Sequence, residues 1–503
     1  MSGALIAAPI LLPVLAGIAT LLFRRRRRAI GAGISIGSCA GLLAIAALLM
    51  RHTYGAAPLA YAIGDWAAPF GIVLVLDQVA ALMLVLTALL ALAVAVHAVL
   101  TGLDRKGWHF HALFQFQLLG VNGAFLTGDL FNLFVFFEVF LIASYGLMLH
   151  GQGPKRLTAG VQYVIINLVG SSVFLVALGL LYGITGTLNM ADMAVRAAAL
   201  PAGDKGILQA GAFLLLLVFG LKAALVPLHI WLPRTYANTA PAVAAMFAIM
   251  TKVGAYAIIR TATLIFGDEA GAFLLPAALA TMVLGYAGML AARSLRDMAA
   301  FGLLGSTATL LAAIALFDEA AMGAALYYLL HTTLAAGLLF LLVDLVVRWR
   351  AVEGAEIVAT PPYKGKVMLG VLFFITAIGF AGLPPLSGFI GKLLILAAAQ
   401  GAPSAAWVWG TILATSLMGI VALARAGSML FWKADASPPI PESRAAPDYA
   451  EAAPVAALIA LLVVLAAAAG PITAYTHSTA AQLFAPHGYI TAVLGEPQGS
   501  AAP

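Results

Sequence analysis

The chain has 503 residues, 63% of them hydrophobic and only 9% charged, with a formal net charge of +6. Soluble globular domains carry about 25% charged residues, so this composition excludes a string of soluble domains and leaves a polytopic membrane protein. The 50 glycines suit close helix packing in lipid, and the single Cys39 excludes an intramolecular disulfide.

Apolar runs of about 20 residues predict spanning helices. In chain order they fall near 3–23, 29–50, 76–100, 109–127, 129–150 and 158–185. They continue near 206–230, 240–266, 271–292, 297–317, 321–347, 366–399, 405–431 and 452–471. The prediction is an all-α polytopic membrane protein with about fourteen transmembrane helices. No basic residue precedes the first run and arginines follow it, which is the pattern of an inverted anchor and not of a cleavable signal. Arg24 to Arg28 mark the first loop as cytoplasmic. Alternating from there, only Arg51, Arg196 and Lys205 among the loop cations fall outside, and both termini are expected on the outer side. The run 206–230 carries PLHIWLP at its end, where Pro227 and Pro233 each remove a backbone donor. The run 366–399 is too long for one simple span and contains GLPPLSG at 382–388, so it predicts a second broken helix. The loop 432–451 is expected to be irregular, and 486–503 to be a mobile tail.

Five ionisable side chains sit well inside the spans: Glu138, Lys222, Lys252, His331 and Lys392. A charge at the centre of a spanning helix costs about 2.5–3.5 kcal/mol on insertion scales, and such residues are functional by default. Glu138 has Phe134, Val135, Leu141 and Ile142 at helical spacing; Lys222 has Val218, Phe219, Leu225 and Val226; Lys392 has Gly388, Phe389, Ile395 and Leu396. None of these three has a charged partner on its own helix, so each must pair across helices, meet water or give up its charge. A static ion pair between Glu138 and one lysine is the competing reading. It leaves the other lysines unmatched, and that surplus favours a proton or cation pathway. His331, beside Tyr327 and Tyr328, can serve as a shuttle or simply bond a neighbour.

Accessory candidates are less decisive. His229, within PLHIWLP, can cap freed carbonyls or carry protons. Asp129, opening the fifth helix with Asn132, can cap that helix or stand at a channel mouth. Tyr256 lies one turn beyond Lys252. Asp77 and Asp344 fall at helix ends and are expected at the interface, with Arg260 snorkelling to the outer surface. GFIGKLL around Lys392 lacks phosphate-loop spacing, and His109 and His111 have no matching ligands for a metal. No nucleotide fingerprint or nucleophile elbow stands out, so no cofactor and no nucleic acid is expected.

Four stretches together resemble one family: LFVFFEVFLIASYGLM around Glu138, LKAALVPLHIWLPRTYANTAP around Lys222, MTKVGAY around Lys252 and GLPPLSGFIGKLLIL around Lys392. It comprises the antiporter-like subunits shared by proton-pumping NADH:quinone oxidoreductase (complex I) and the Mrp-type multisubunit cation/proton antiporters. The resemblance implies fourteen helices, broken helices 7 and 12, and two inverted five-helix repeats. Here the repeats correspond to roughly 109–266 and 271–431, with peripheral helices at 3–100 and 452–471. Within the family the chain is most similar to D-type Mrp subunits: it lacks the C-terminal extension of the A type and the lateral helix of the L type. The M-type complex I subunit typically has glutamate where Lys392 stands, whereas the N type has lysine. The implied activity is proton translocation within a Na⁺/H⁺ antiporter of the bacterial inner membrane, not an enzyme. The implied partners are subunits of the A, B, C, E, F and G types. An M- or N-like proton-pumping subunit of complex I is the alternative. Carried onto this sequence, Glu138 and Lys222 form a coupled pair, Lys252 and His331 continue a midplane axis, and Lys392 ends it.

Overall fold

The chain is built from helices that start at caps written in the sequence, and two of them are interrupted near their middles. The computed structural model describes residues 3–22, 28–350, 354–433 and 448–495. Helices α1 (Ala4–Leu22) and α2 (Arg28–Thr53) lead into a short antiparallel hairpin, β1 (Leu59–Ala62) with β2 (Val73–Leu76). The all-helical expectation missed this hairpin, because its alternation is only four residues long on each strand. Asp77 accepts from the Ala80 N–H at 2.9 Å and starts α3 (Gln78–Leu100). Next come α4 (Phe110–Leu126), α5 (Leu130–Met148), capped by Asp129, and α6 (Pro154–Thr185), with proline in its first turn. The short α7 (Met190–Ala198) begins at an Asn189 cap.

The first break follows α8 (Lys205–Lys222). Ala224 takes a left-handed φ of 58°, Pro227 lacks a donor, and a turn at Leu228–Ile230 leads into α9 (Trp231–Asn238). Then come α10 (Pro241–Thr261), ending in a π-helical turn at Ala262–Phe266, α11 (Gly271–Ala291), α12 (Leu295–Ala315) and α13 (Glu319–Arg350). The second break ends α14 (Lys366–Ala381) at Gly382, whose φ of 79° suits a residue without a Cβ. The chain resumes after Pro384 and Pro385 as α15 (Ser387–Ala399). The remaining helices are α16 (Ala405–Gly427), α17 (Ala453–Ala467), α18 (Ala469–Phe484) and α19 (His487–Leu494).

Every residue of α10 is buried, and α12 and α13 are nearly so. They form the centre of the bundle, with α3 and α8 packed on α10 and with α15 and α17 on α13. The surrounding helices turn apolar side chains outward, among them Leu15, Ile142, Val176 and Leu417. Apolar outer faces around an interior that holds buried charges such as Lys222, Lys252 and Lys392 are what a bilayer solvent selects, so the chain is a multi-pass membrane protein.

Among the described residues, twelve helices are long and apolar enough to cross a membrane. The expected fourteen are not reached on that measure, for two reasons. Helix α4 has only 17 residues, and the run 366–399 divides into pieces of 16 and 13. Both expected breaks are present. The last expected span, 452–471, continues as α18 to Phe484. The first part of the segment expected as a tail is α19, with Tyr489 buried against the bundle. Arg24 to Arg27, residues 434–447 of the long loop and the tail beyond 495 lie outside the described residues.

The expected snorkelling of Arg260 to the outer surface is wrong. Arg260 is 4% exposed and pairs with Asp77 at 2.6 Å, while Asp344 meets the buried His97 at 3.0 Å. A guanidinium with a carboxylate in reach inside the bundle has no reason to stretch to the surface.

Candidate functional site

The site is a row of buried polar side chains crossing the centre of the bundle. It begins on α5 with Glu138, half-buried, whose carboxylate accepts a hydrogen bond from Ser171 Oγ on α6. One turn earlier on α6, Asn167 Oδ1 accepts from Lys222 Nζ at 2.9 Å, and Asn167 Nδ2 donates to the Tyr163 carbonyl at 2.8 Å. Residues 163, 167 and 171 are spaced by four, so they share one face of α6. Glu138 is the charge that acts on Lys222, but no ion pair within 4.0 Å joins them among the described residues.

Lys222 is the last residue of α8, and the break begins directly after it. The Leu221 carbonyl accepts from the Ala224 N–H at 3.1 Å and also from Trp231 Nε1 at 3.0 Å, and the Val226 N–H is met by Thr281 Oγ1 at 2.9 Å. His229 is half-buried beside this turn, with the Pro227 backbone as a hydrogen-bonding neighbour of its ring. Helix α10 approaches α8 closely at Gly254: a Cβ there would stand 2.8 Å from the Phe219 carbonyl and 3.2 Å from Lys222 Cβ. That approach places Lys222 next to the helix of Lys252. Lys252 is fully buried, and its Nζ donates to Thr307 Oγ1 on α12 at 3.0 Å.

Beyond α12 lies His331 on α13. Its Nδ1 shares a hydrogen bond with Ser387 Oγ at 2.9 Å, and Lys392 and Lys252 are the charges that act on its ring. Ser387 opens α15, so the second break sets the histidine's partner just as the first break positions Lys222. Lys392, further along α15, donates to the Ala381 carbonyl at 2.8 Å and to Ser416 Oγ at 2.9 Å. The Ala381 carbonyl is one that the end of α14 leaves unpaired. The Tyr286 ring lies 5.8 Å from Lys392 Nζ.

All five principal candidates thus lie on neighbouring helices of one polar row. The accessory candidates divide. Tyr328 packs against His331 at 5.7 Å between ring centres. Tyr327 bonds the Leu465 carbonyl and ties α13 to α17; Tyr256 bonds the Phe125 carbonyl and ties α10 to α4. Asp129 accepts from the Asn132 N–H at 2.8 Å, the capping alternative. Sequence reasoning missed Asn167, Ser171, Thr307, Ser387 and Ser416. The i, i+4 spacing of Asn167 and Ser171 in an apolar span was a usable signal. Isolated Ser and Thr, which bond their own helix backbone so often, gave none. Among the described residues no group of three or more His, Cys, Asp or Glu could hold a metal.

Residues 127–420 match the family described as NADH:quinone oxidoreductase/Mrp antiporter, transmembrane region. The chain is 39% identical to the D-type subunit of a probable K⁺/H⁺ antiporter of Rhizobium meliloti, over 98% of each chain. It is 35% identical to the D-type subunit of the Na⁺/H⁺ antiporter of Bacillus subtilis, over 97% of this chain and 99% of that one. Among solved structures, a chain of the Mrp complex from a Dietzia species superposes with a TM-score of 0.87 at 29% identity. That superposition covers 98% of this chain and all of the other.

Proposed function

The chain belongs to the NADH:quinone oxidoreductase/Mrp antiporter transmembrane family, and from that premise we propose that it is the D-type, proton-translocating member of a multisubunit monovalent cation/proton antiporter. It is a transporter component and not an enzyme. The names of its relatives support the antiporter over a redox-driven pump, since those at 35–39% identity are D-type antiporter subunits. The partners would be the other antiporter subunit types, A, B, C, E, F and G, in a bacterial inner membrane, with both termini on the outer side. The two broken helices would be counterparts in two inverted repeats, a plan that transporters use to build a midplane ion site.

The observation that carries the reading is the row Glu138, Lys222, Lys252, His331 and Lys392, each joined to a hydroxyl or amide of a neighbouring helix. Lys222 sits at a helix break, held by Asn167 and not locked onto Glu138. A small rotation about that break moves its ammonium toward or away from the carboxylate. When Lys222 withdraws, Glu138 loses a stabilising charge and its affinity for a proton rises; Lys222 then passes its own proton toward Lys252. From Lys252 the proton moves by way of His331, whose two ring nitrogens can take it on one side and release it on the other. Lys392, steadied by a freed carbonyl and a serine, closes the row. Moving one charge against 100 mV costs about 2.3 kcal/mol, so the row must never be open to both faces at once.

The test uses the assembled complex in everted membrane vesicles. Glu138→Gln and Lys222→Ala should each abolish cation-driven proton exchange while complex abundance stays normal. Exchange at the parental rate in either variant overturns the relay, and loss of assembly in Glu138→Gln favours a static, structural pair.

A further inference from the structure

On the outside of the bundle, away from the polar row, α14 and the end of α16 leave a groove between them. Lys366, Gly370, Phe374 and Ile378 follow one another at intervals of four and share a face of α14, beside a second row that starts at Val367. With Phe431 and Trp432 these rows line an open cavity of about 560 Å³. Phe431 and Trp432 belong to a π-helical turn, Ser428–Trp432, that ends α16, and the Trp432 ring stacks on Phe374 at 4.9 Å between centres. A Cβ at Gly370 would touch Phe431 at 3.5 Å, so any longer side chain there would grow into the cavity. The groove opens outward: Val367 is 82% exposed and Trp432 73%.

The lining changes character along its length. It starts at the Lys366 ammonium and ends in hydrocarbon at Ile378. Lys433, exposed, directly follows Trp432, so a second cation stands at the Lys366 end. Among the described residues neither lysine forms an ion pair within 4.0 Å. From residue 366 to 378 the helix rises about 18 Å, against about 15 Å for half of a bilayer's hydrocarbon core. The positive-inside expectation puts the cationic end in the inner leaflet, whose surface is anionic. An apolar helix of another subunit would fill the hollow but leave both ammonium groups without a counter-charge. A phospholipid with a net negative head satisfies both ends at once. Basic pockets between spanning helices on the cytoplasmic side suit such heads.

We propose that the groove between α14 and the π-helical turn of α16 binds one anionic phospholipid of the inner leaflet. Its phosphate meets Lys366 and Lys433 beside the Trp432 ring, and one acyl chain runs along α14 toward Ile378. The proposal stands apart from the relay, since its test reads no proton flux.

The experiment uses the complete complex and a phosphatidylglycerol that carries a photoactivatable acyl chain, with the labelled peptides mapped by mass spectrometry. Label should fall on α14 and on the Phe431–Trp432 segment. Unlabelled phosphatidylglycerol should displace it at a concentration at least threefold lower than phosphatidylcholine with the same chains. Equal displacement by the two lipids overturns the site. Absence of label from α14 also overturns it, because another subunit then covers the groove. Lys366→Gln combined with Lys433→Gln should abolish the preference for phosphatidylglycerol; a preference that survives contradicts the role of the two lysines. Gly370→Leu should lower labelling of α14 at least threefold at unchanged complex abundance, and parental labelling rejects the chain's path. If the variants do not assemble, mapping and competition on the parent decide alone.

Discussion

Lys222 donates to Asn167 at 2.9 Å while Glu138 is held by Ser171, one turn along the same face of α6. The lysine and the carboxylate are therefore coupled through a single helix face, not fused into a buried ion pair. A direct pair inside lipid would be hard to part, because separating it leaves two uncompensated charges. An ammonium held by an amide can leave its partner at much lower cost, which is what a switching element requires.

Removing that amide should be felt at once. Asn167→Ala leaves a buried ammonium without its acceptor, a loss of about 1–3 kcal/mol or more for a charged group. Exchange in vesicles should fall at least tenfold with the complex still assembled. Asn167→Asp should also slow it, by holding Lys222 in a fixed pair.

At the other end of the row, Lys392 has two acceptors, and one of them is a side chain. Ser416→Ala removes a hydrogen bond to a charged group, worth about 1.5–3 kcal/mol. Exchange should drop about tenfold, and Lys392→Ala should bring it to background. A Ser416→Ala rate equal to the parent would mean that the serine does not steady the lysine.

The second break depends on a close approach. A Cβ at Gly388 would stand 2.2 Å from the Gly379 carbonyl and 2.8 Å from His331 Nε2, so Gly388→Ala has to push α15 away from α13 and α14. Overpacking of this kind costs about 1–3 kcal/mol. The purified complex should melt at a lower temperature, and exchange should slow because Ser387 moves with the helix.

Between α5 and α6, His150 is buried with Nε2 on the Leu103 carbonyl at 2.8 Å. Burial, with Arg156 and Lys106 nearby, holds it below the usual histidine range, although the bond to Leu103 works the other way. The sign follows from the neutral form being favoured in the folded state. Its contribution to stability is complete above pH about 6.5 and is lost as the pH falls below that value. Melting temperature should fall from pH 7 to pH 5, and His150→Gln should flatten that dependence.

Much of this was legible in the sequence, for a physical reason. A lysine in an apolar run cannot be accidental, so Lys222, Lys252 and Lys392 stood out against their neighbours. Prolines marked both breaks, since a missing donor acts locally wherever the helix goes. The second partners were not legible. Thr307 and Ser416 are ordinary helix residues until the packing of α10 on α12 and of α15 on α16 aims them at an ammonium. Arg260 was misread because its partner, Asp77, lies far away in sequence, and snorkelling is the default only where no carboxylate waits inside. The hairpin and α19 were missed because short elements are fixed by docking onto the bundle and not by their own periodicity.

The central claim is that protons cross the bundle through Lys252, whose ammonium donates to Thr307 and, among the described residues, forms no ion pair. The direct measurement is cation-driven proton exchange by the complete complex in vesicles with Lys252→Ala, beside an assay of complex abundance. The relay predicts normal abundance and exchange at background level. Exchange at the parental rate with the complex intact would contradict it.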